Sequence, residues 1–582
     1  MRALLLLTLF LIEAGSRPAA GAPSTLRWWI ADPLAKIKPQ DPFPNAPVKS
    51  AVVQAARNEF EPFQIVLRSD DKDVADIDIE FSDLRSSQGA EISRNHITVY
   101  FEQFLNITQP SLIGGESGLW PDALIPRVDR YTHERRNAFP FALRRGRNQP
   151  LWVDVFVPEE ARPGEYAGWA SISRGGKVAL QIPIRVTVWS FALPSTATLK
   201  SSFGLNGTAA LKQHLGRYTT DEDLYTLTRR YAQAALQHRI SIHGGSQTPP
   251  KESGRGQLDW RAYDAEMAPF LEGTAIAAGE PLSGARATTA DLRTPASFSS
   301  EEQQVAYLSA WVRHFEQRGW NDRLFLYLWD EPARGDFEKV LERGRVSLRS
   351  QPPVRKLLTV PFTSELESVV DIWVPLVNCL DRKPGFDDFC AAAPPLETYA
   401  REKARGKSLW FYQSCASHGC NAPGGEYFAG WPSYMIDTSG AANRVMQWLA
   451  WKYRIEGELY FSMNEAYGHG QDPWTDVRLF GGNGDGTLFY PGRPARIGGM
   501  ADIPVESIRL KLIREGMEDY EYLALLAKLG GPNLADEFAN RIVTKPYVWE
   551  ARPEVFLKVR QEMGATLDRL ARTRPANGSD EK

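Results

Sequence analysis

Between about residues 24 and 193 the apolar positions fall in short runs, such as 63–67, 151–157 and 182–188. Turn signals separate them, Pro163-Gly164 and Gly175-Gly176 among them, and few stretches carry a helical period. This is the pattern of an all-β sandwich. After Leu193-Pro194-Ser195 the pattern changes to long amphipathic segments alternating with short apolar runs, as in βα units. Candidate strands lie at residues 201–206, 240–245, 288–293, 324–329, 357–360, 372–376, 409–413 and 459–464. The third is the weakest. Eight strands with intervening helices predict a (β/α)₈ barrel.

Helix signals support this layout. Val305, Leu308, Val312 and Phe315 recur at helical spacing, with Ser299 and Glu302 as an expected capping box and Gly319 as a stop. A helix over 441–454 precedes the last strand, whereas the interval between the fifth and sixth strands is short for one. A Gly-rich loop over 481–486 leads to a long helix over about 505–529, and a further helix is expected over about 553–571. The expected fold is therefore multidomain, β plus α/β. An N-terminal β-sandwich spans 23–195, a (β/α)₈ barrel spans 196–530, and a C-terminal helical segment with a disordered polar tail spans 531–582.

The first 22 residues read as an export signal. Met1-Arg2 is followed by an apolar stretch over 3–14, broken only by Thr8 and Glu13, and then by small residues up to Ala22. The stretch is short for a membrane span, so stable membrane insertion is not expected. No cysteine lies near enough for a lipid anchor. An exported protein, periplasmic or extracellular, is expected. The four cysteines form two local pairs, Cys379 with Cys390 and Cys415 with Cys420. Disulfides suit an oxidising compartment. Free structural thiols and a metal site are the alternatives; His418 is the only histidine inside either loop, and the spacings match no zinc pattern.

The charge balance, 68 basic against 71 acidic residues, leaves no basic surplus to bind nucleic acid. The aromatic content is high, with 17 Trp, 20 Tyr and 27 Phe, which suits a large core and also stacking against sugar rings.

Barrels carry their chemistry at the C-terminal ends of the strands. Those ends hold Asn206, His243, Asp330-Glu331, Tyr412 and Asn464. The leading candidate is Trp329-Asp330-Glu331-Pro332, where two carboxylates close an apolar strand and Pro332 is expected to hold Glu331 extended. Adjacent carboxylates can divide the roles of acid and anion, as glycosidic bond cleavage requires. The structural alternative is that Asp330 caps the following helix. Glu465 is a second carboxylate candidate. If it faces Glu331, a retaining mechanism with Glu331 as acid/base and Glu465 as nucleophile is open. Trp373, Trp410, Tyr412, Tyr467 and Trp474 lie at or beyond strand ends and are candidate sugar contacts. No GxSxG, phosphate-loop or HExxH motif is present, and Gly484-Asp485-Gly486 lacks EF-hand spacing. No metal or cofactor is implied, and the oligomeric state stays open.

The chain resembles glycoside hydrolase family 123. The resemblance rests on Ala56-Arg57-Asn58-Glu59-Phe60-Glu61 with Phe63-Gln64, on 163–168 (Pro-Gly-Glu-Tyr-Ala-Gly), and on Trp329-Asp330-Glu331-Pro332. Asp472-Pro473-Trp474, Gly486 to Gly492, and the segment Arg509 to Tyr522 complete it. It implies an exported sandwich–barrel enzyme, similar to β-N-acetylgalactosaminidases that use substrate-assisted catalysis. In that scheme the acetamido oxygen of the sugar attacks the anomeric carbon. Asp330 would hold the acetamido N–H, Glu331 would act as acid and then base, and Glu465 would be a substrate contact. In the last segment, Gly516 is expected to allow close packing on the barrel and Arg514 to pair with Glu518. A retaining glycosidase for other sugars and a non-catalytic carbohydrate-binding protein are the competing readings.

Overall fold

The computed structural model describes residues 26–573 except 113–114, 218, 246–248, 254–256, 296, 387–389, 391, 415–416, 418 and 420–425. The expected signal, Cys415 and Cys420, and residues 574–582 of the expected tail lie outside the described residues. Thr573 ends the helix Pro553–Thr573.

Two sheets stack in the N-terminal region. The first runs in the order Leu26–Ala31, Glu59–Ser69, Asn148–Val157, Ile97–Ile107, Gly118–Pro126, Ile503–Ser507, Phe489–Gly492. Its neighbours pair antiparallel. The second is built on Ala51–Arg57, Lys177–Ala192, Gly164–Arg174, Val74–Phe81 and Phe141–Leu143. Alternate residues such as Ile182, Ile184, Val186 and Val188 face Phe63, Ile65, Leu151, Val153 and Val155 across the core. Asn148–Val157 is buried on both faces, because its other side, with Trp152 and Phe156, belongs to the core shared with the barrel. The sandwich therefore does not end at residue 195: two of its strands come from 489–507. Their apolar positions, Tyr490, Ile503 and Val505, pack with Leu105, Ala123 and Ile125 of the sandwich strands, which no local pattern in the chain indicates.

All eight expected barrel strands form, as Lys200–Asn206, Ile242–Gly245, Ala290–Asp291, Leu324–Trp329, Lys356–Leu358, Ile372–Trp373, Ser408–Tyr412 and Gly457–Tyr460. They lie parallel in the order 2-1-8-7-6-5-4-3, so the barrel is nearly closed, with its seam between the second and third strands. Side chains alternate as the pleat demands. Phe325, Leu357, Ile372, Val374, Trp410, Tyr412 and Leu459 cluster inside, while Leu326, Leu328, Leu358, Trp373, Leu409, Phe411 and Tyr460 meet the helices outside.

Local details differ from expectation where single residues decide. The helix Glu301–Gln317 is capped by Ser300, whose side chain accepts from Gln303 N, while Ser299 N–H donates to the Gln303 side chain. The reciprocal cap is thus one residue later than Ser299 and Glu302. The helix before the last strand is two pieces, Gly440–Arg444 and Met446–Lys452, and no helix joins the fifth and sixth strands among the described residues. Cys379 and Cys390 form a disulfide.

The long helix Ile508–Gly530 lies between barrel and sandwich. A Cβ on Gly516 would meet the Gln447 side chain at 2.1 Å and the Arg444 carbonyl at 2.7 Å, so the close approach is to the helical segments before the eighth strand. Arg514 does not pair with Glu518. It makes two hydrogen bonds to Asp154 of the sandwich, at 2.9 and 3.0 Å, and meets Glu515, while Glu518 pairs with Arg239 at 3.2 Å. The helical spacing is right for the expected pair, but both side chains find partners on other elements.

Candidate active site

A cavity of about 350 Å³ opens at the C-terminal ends of the barrel strands. His243, Asp291, Tyr327, Asp330, Glu331, Thr359 and Tyr412 line it from five strands or the residues just beyond them, with Phe325 and Leu459 lower down. Phe461, Phe480 and Asp485 close the side formed by the segment after the eighth strand.

The fourth strand delivers Asp330 and Glu331, and a small network fixes them. Glu331 N–H donates to Thr359 Oγ1 at 2.8 Å, and Thr359 Oγ1 donates to Asp330 Oδ1 at 3.1 Å. Tyr327 OH donates to the same Oδ1 at 2.7 Å. Tyr412 OH donates to Glu331 Oε1. Glu331 is not extended before Pro332: its φ is +42°, a conformation that disfavours a side chain with Cβ. The Thr359 bond to its N–H holds that turn, which aims both carboxylates into the cavity.

Burial and the neighbouring Asp330 and Glu331 charges push the Tyr327 and Tyr412 hydroxyls up, so both remain protonated donors. Burial pushes His243 down, giving a neutral imidazole whose Nδ1 meets Ser202 Oγ at 2.9 Å. Asp291 Oδ2 pairs with Arg293 Nε at 2.8 Å, and Asp291 Oδ1 has no hydrogen-bond partner among the described residues. Asp330 caps no helix; Asp336 stands at the start of the next one, Phe337–Leu348.

Of the residues singled out in the sequence, Asp330, Glu331, His243 and Tyr412 come together on the cavity. The others do not line it. Trp373 is fully buried on the outer face of the barrel against Phe362, because its position in the strand points outward. Trp410 points inward but sits at the opposite end, beside Lys200 and Arg355 at the strands' N-terminal ends. Asn206 and Asn464 tie the first strand to the segment after the eighth by two mutual hydrogen bonds of 2.9 Å, and Asn206 also caps the helix Gly207–Leu215. Tyr467 is buried with its hydroxyl on Tyr231, and Trp474 donates to the Pro491 carbonyl within the core shared with the sandwich. Glu465 meets His469 at 3.3 Å outside the cavity lining.

The residues that sequence reasoning missed are Asp291, Tyr327, Thr359, Phe461, Phe480 and Asp485. Strand parity could have found Tyr327, two positions after the inward Phe325. Asp291 and Thr359 were inside candidate strands but not singled out. Among the described residues no cluster of His, Cys, Asp and Glu could hold a metal ion, and no helix is long and apolar enough to cross a membrane.

Comparison with known proteins agrees with this geometry. Residues 290–526 match the catalytic domain of glycoside hydrolase 123, and residues 37–174 match the glycoside hydrolase 123 N-terminal domain. A family 123 glycoside hydrolase from Clostridium perfringens, analysed for glycolipid glycan hydrolysis, superposes with a TM-score of 0.66 at 14% identity, covering 94% of this chain and 99% of that one. A family 39 glycoside hydrolase from Bacteroides cellulosilyticus WH2 is a looser likeness, with TM-score 0.31, 10% identity, and coverage of 75% and 80%. Among curated proteins none matches.

Proposed function

The chain belongs to glycoside hydrolase family 123, and from that premise we propose that it releases a terminal β-linked 2-acetamido sugar, N-acetylgalactosamine by preference, with retention. The observation that carries this reading is the pair Asp330 and Glu331, held side by side on one wall of the cavity while Glu465 stands outside it. Adjacent carboxylates serve neighbouring atoms of one sugar, which is what an internal acetamido nucleophile needs and an opposing protein nucleophile does not.

Asp330 receives Tyr327 and Thr359 on Oδ1, which leaves Oδ2 to accept the acetamido N–H. That contact orients the acetamido oxygen toward the anomeric carbon and stabilises the positive charge that develops on it. Glu331, steadied by Tyr412 on Oε1, gives its proton to the departing glycosidic oxygen. The resulting oxazolinium is opened by water, whose proton returns to Glu331, and the sugar leaves with its original β configuration. Neutral His243 and Asp291, both on the cavity wall, are suited to contact sugar hydroxyls. The glycans of glycolipids, described for the Clostridium perfringens enzyme, are the natural-substrate class we propose. Export is inferred from residues 1–22, and the Cys379–Cys390 disulfide suits an oxidising compartment.

Proton NMR of the first-formed product tests the mechanism. The β anomer is expected before mutarotation; initial appearance of the α anomer would rule out acetamido assistance.

A further inference from the structure

Phe480 stands where neither backbone nor core wants it. Arg478–Leu479 and Gly482–Asn483 pair as a tight hairpin whose two turn residues, Phe480 and Gly481, have φ of +50° and +89°. A turn with both central residues left-handed favours Asn, Asp or Gly, and a bulky side chain there is disfavoured. Packing does not compensate, since Phe480 is 44% exposed. The hairpin is nevertheless clamped. Asn483 donates to Gln109 O and Asp437 Oδ2, at 2.9 and 3.0 Å, and Arg478 donates to Gln109 O at 2.9 Å. The turn that carries the ring is therefore fastened beside the cavity that Phe480 lines together with Glu331.

Its surroundings complete a platform. Phe461 lies 6.2 Å away on the cavity side, and His469 presents its ring at 88° and 5.5 Å. Glu465 meets His469 at 3.3 Å, so the carboxylate excluded from the cavity braces the imidazole beside Phe480.

We propose that Phe480, braced by His469 and Glu465, is the stacking platform of a leaving-group subsite that takes the apolar face of a pyranose. The subsite rests on the reading of the cavity as the site of glycoside hydrolysis. A terminal sugar fills the deeper part, above Phe325 and Leu459, and the exposed Phe480 is left for the next residue of the glycan. The half-exposed Glu465 and His469 offer hydrogen bonds to that residue's hydroxyls, which an alkyl chain could not use.

The test compares two substrates with the same terminal sugar: a β-N-acetylgalactosaminyl-galactose disaccharide and the β-glycosyl azide, whose leaving group is too small to stack. In Phe480→Ala the ratio of kcat/KM for disaccharide over azide is expected to fall roughly tenfold, the scale of one aromatic contact. Phe480→Trp should keep the ratio. An unchanged ratio in Phe480→Ala would overturn the proposal, as would an equal loss on both substrates. Saturation-transfer NMR of lactose reads the platform without turnover. Transfer to ring protons in the parent protein, lost in Phe480→Ala, is expected even if neither substrate is cleaved, in which case only the terminal-sugar reading fails. No transfer in the parent protein would overturn the subsite itself.

Discussion

At the barrel mouth, Asp330 and Glu331 stand on an open cavity, held by Tyr327, Thr359 and Tyr412, with no cation at ion-pair distance among the described residues. Along the helix Ile508–Gly530 the buried carboxylates are matched with cations, Glu521 excepted, which accepts from Thr198 instead. Asp154 meets Arg514 and Lys511 at 2.9 and 2.8 Å, Asp122 meets Arg509 at 2.9 Å, and Asp519 meets Arg444 and Arg560 at 2.7 Å. The difference is chemical. Hydroxyl donors set a carboxylate's direction without neutralising its charge, whereas guanidinium partners neutralise it and lock two elements together. Asp122 and Asp154 come from sandwich strands, so the seam joins the sandwich to the barrel's side. Arg509 extends that join by donating to the Gly484 and Thr487 carbonyls, on the loop that carries Asp485.

The two regions should therefore fail in opposite ways. Asp330→Asn should lower kcat/KM on the order of 10³-fold whatever the leaving group, because the lost contact acts on the developing charge. Glu331→Gln should lose as much on substrates with poor leaving groups, yet keep much of its activity when the leaving group needs no protonation. Both should unfold near the parent midpoint; a marked loss of stability would erase the distinction between mouth and seam. Asp154→Ala should show the reverse. It leaves Arg514 and Lys511 buried with one partner fewer and should cost about 3–5 kcal/mol in urea unfolding. Parent-like unfolding of Asp154→Ala would show that the seam does not hold the sandwich to the barrel.

A subtler contrast concerns pH. On the eighth strand, burial pushes the Glu458 carboxyl up to about 7, against hydrogen bonds from Tyr434 and Gln447. The folded chain holds this proton more tightly than the unfolded chain. Its contribution is thus full below the usual carboxylate range and is lost as pH rises through about 7. Roughly 3 kcal/mol should disappear over that interval, and Glu458→Gln should flatten this part of the profile. Thermal unfolding at about pH 5 and about pH 8 checks it; an equal pH dependence in parent and variant would exclude Glu458. The smallest effect belongs to Tyr412→Phe. Removing one hydrogen bond to Glu331 should cost about tenfold in kcat/KM, more with poor leaving groups than with activated ones.

The contrast also explains what was legible in the sequence. Strands such as Leu324–Trp329 and Ser408–Tyr412 announce themselves by short apolar runs, and the Asp-Glu pair follows directly from the end of one of them. Strand 489–492 does not announce its partner, because its pairing reaches the sandwich through Ile503–Ser507. Aromatic residues were misleading for a similar reason. Trp373 and Trp410 are near neighbours in the barrel sheet, yet the pleat sends one outward and the other inward near the barrel's far end. Phe480 was hidden because its role depends on a left-handed turn that composition does not reveal. The most distinctive run of residues, Arg509 to Tyr522, proved to be the seam, while the proposed chemistry rests on a short motif.

The central claim is that the substrate supplies its own nucleophile. Hydrolysis of 4-nitrophenyl β-N-acetylgalactosaminide by the purified protein, beside the corresponding glucosaminide and galactoside, tests it most directly. Cleavage of the galactosaminide is expected and, because the galactoside has no acetamido group, a rate at least about 10³-fold lower on the latter. Comparable cleavage of the galactoside would contradict it.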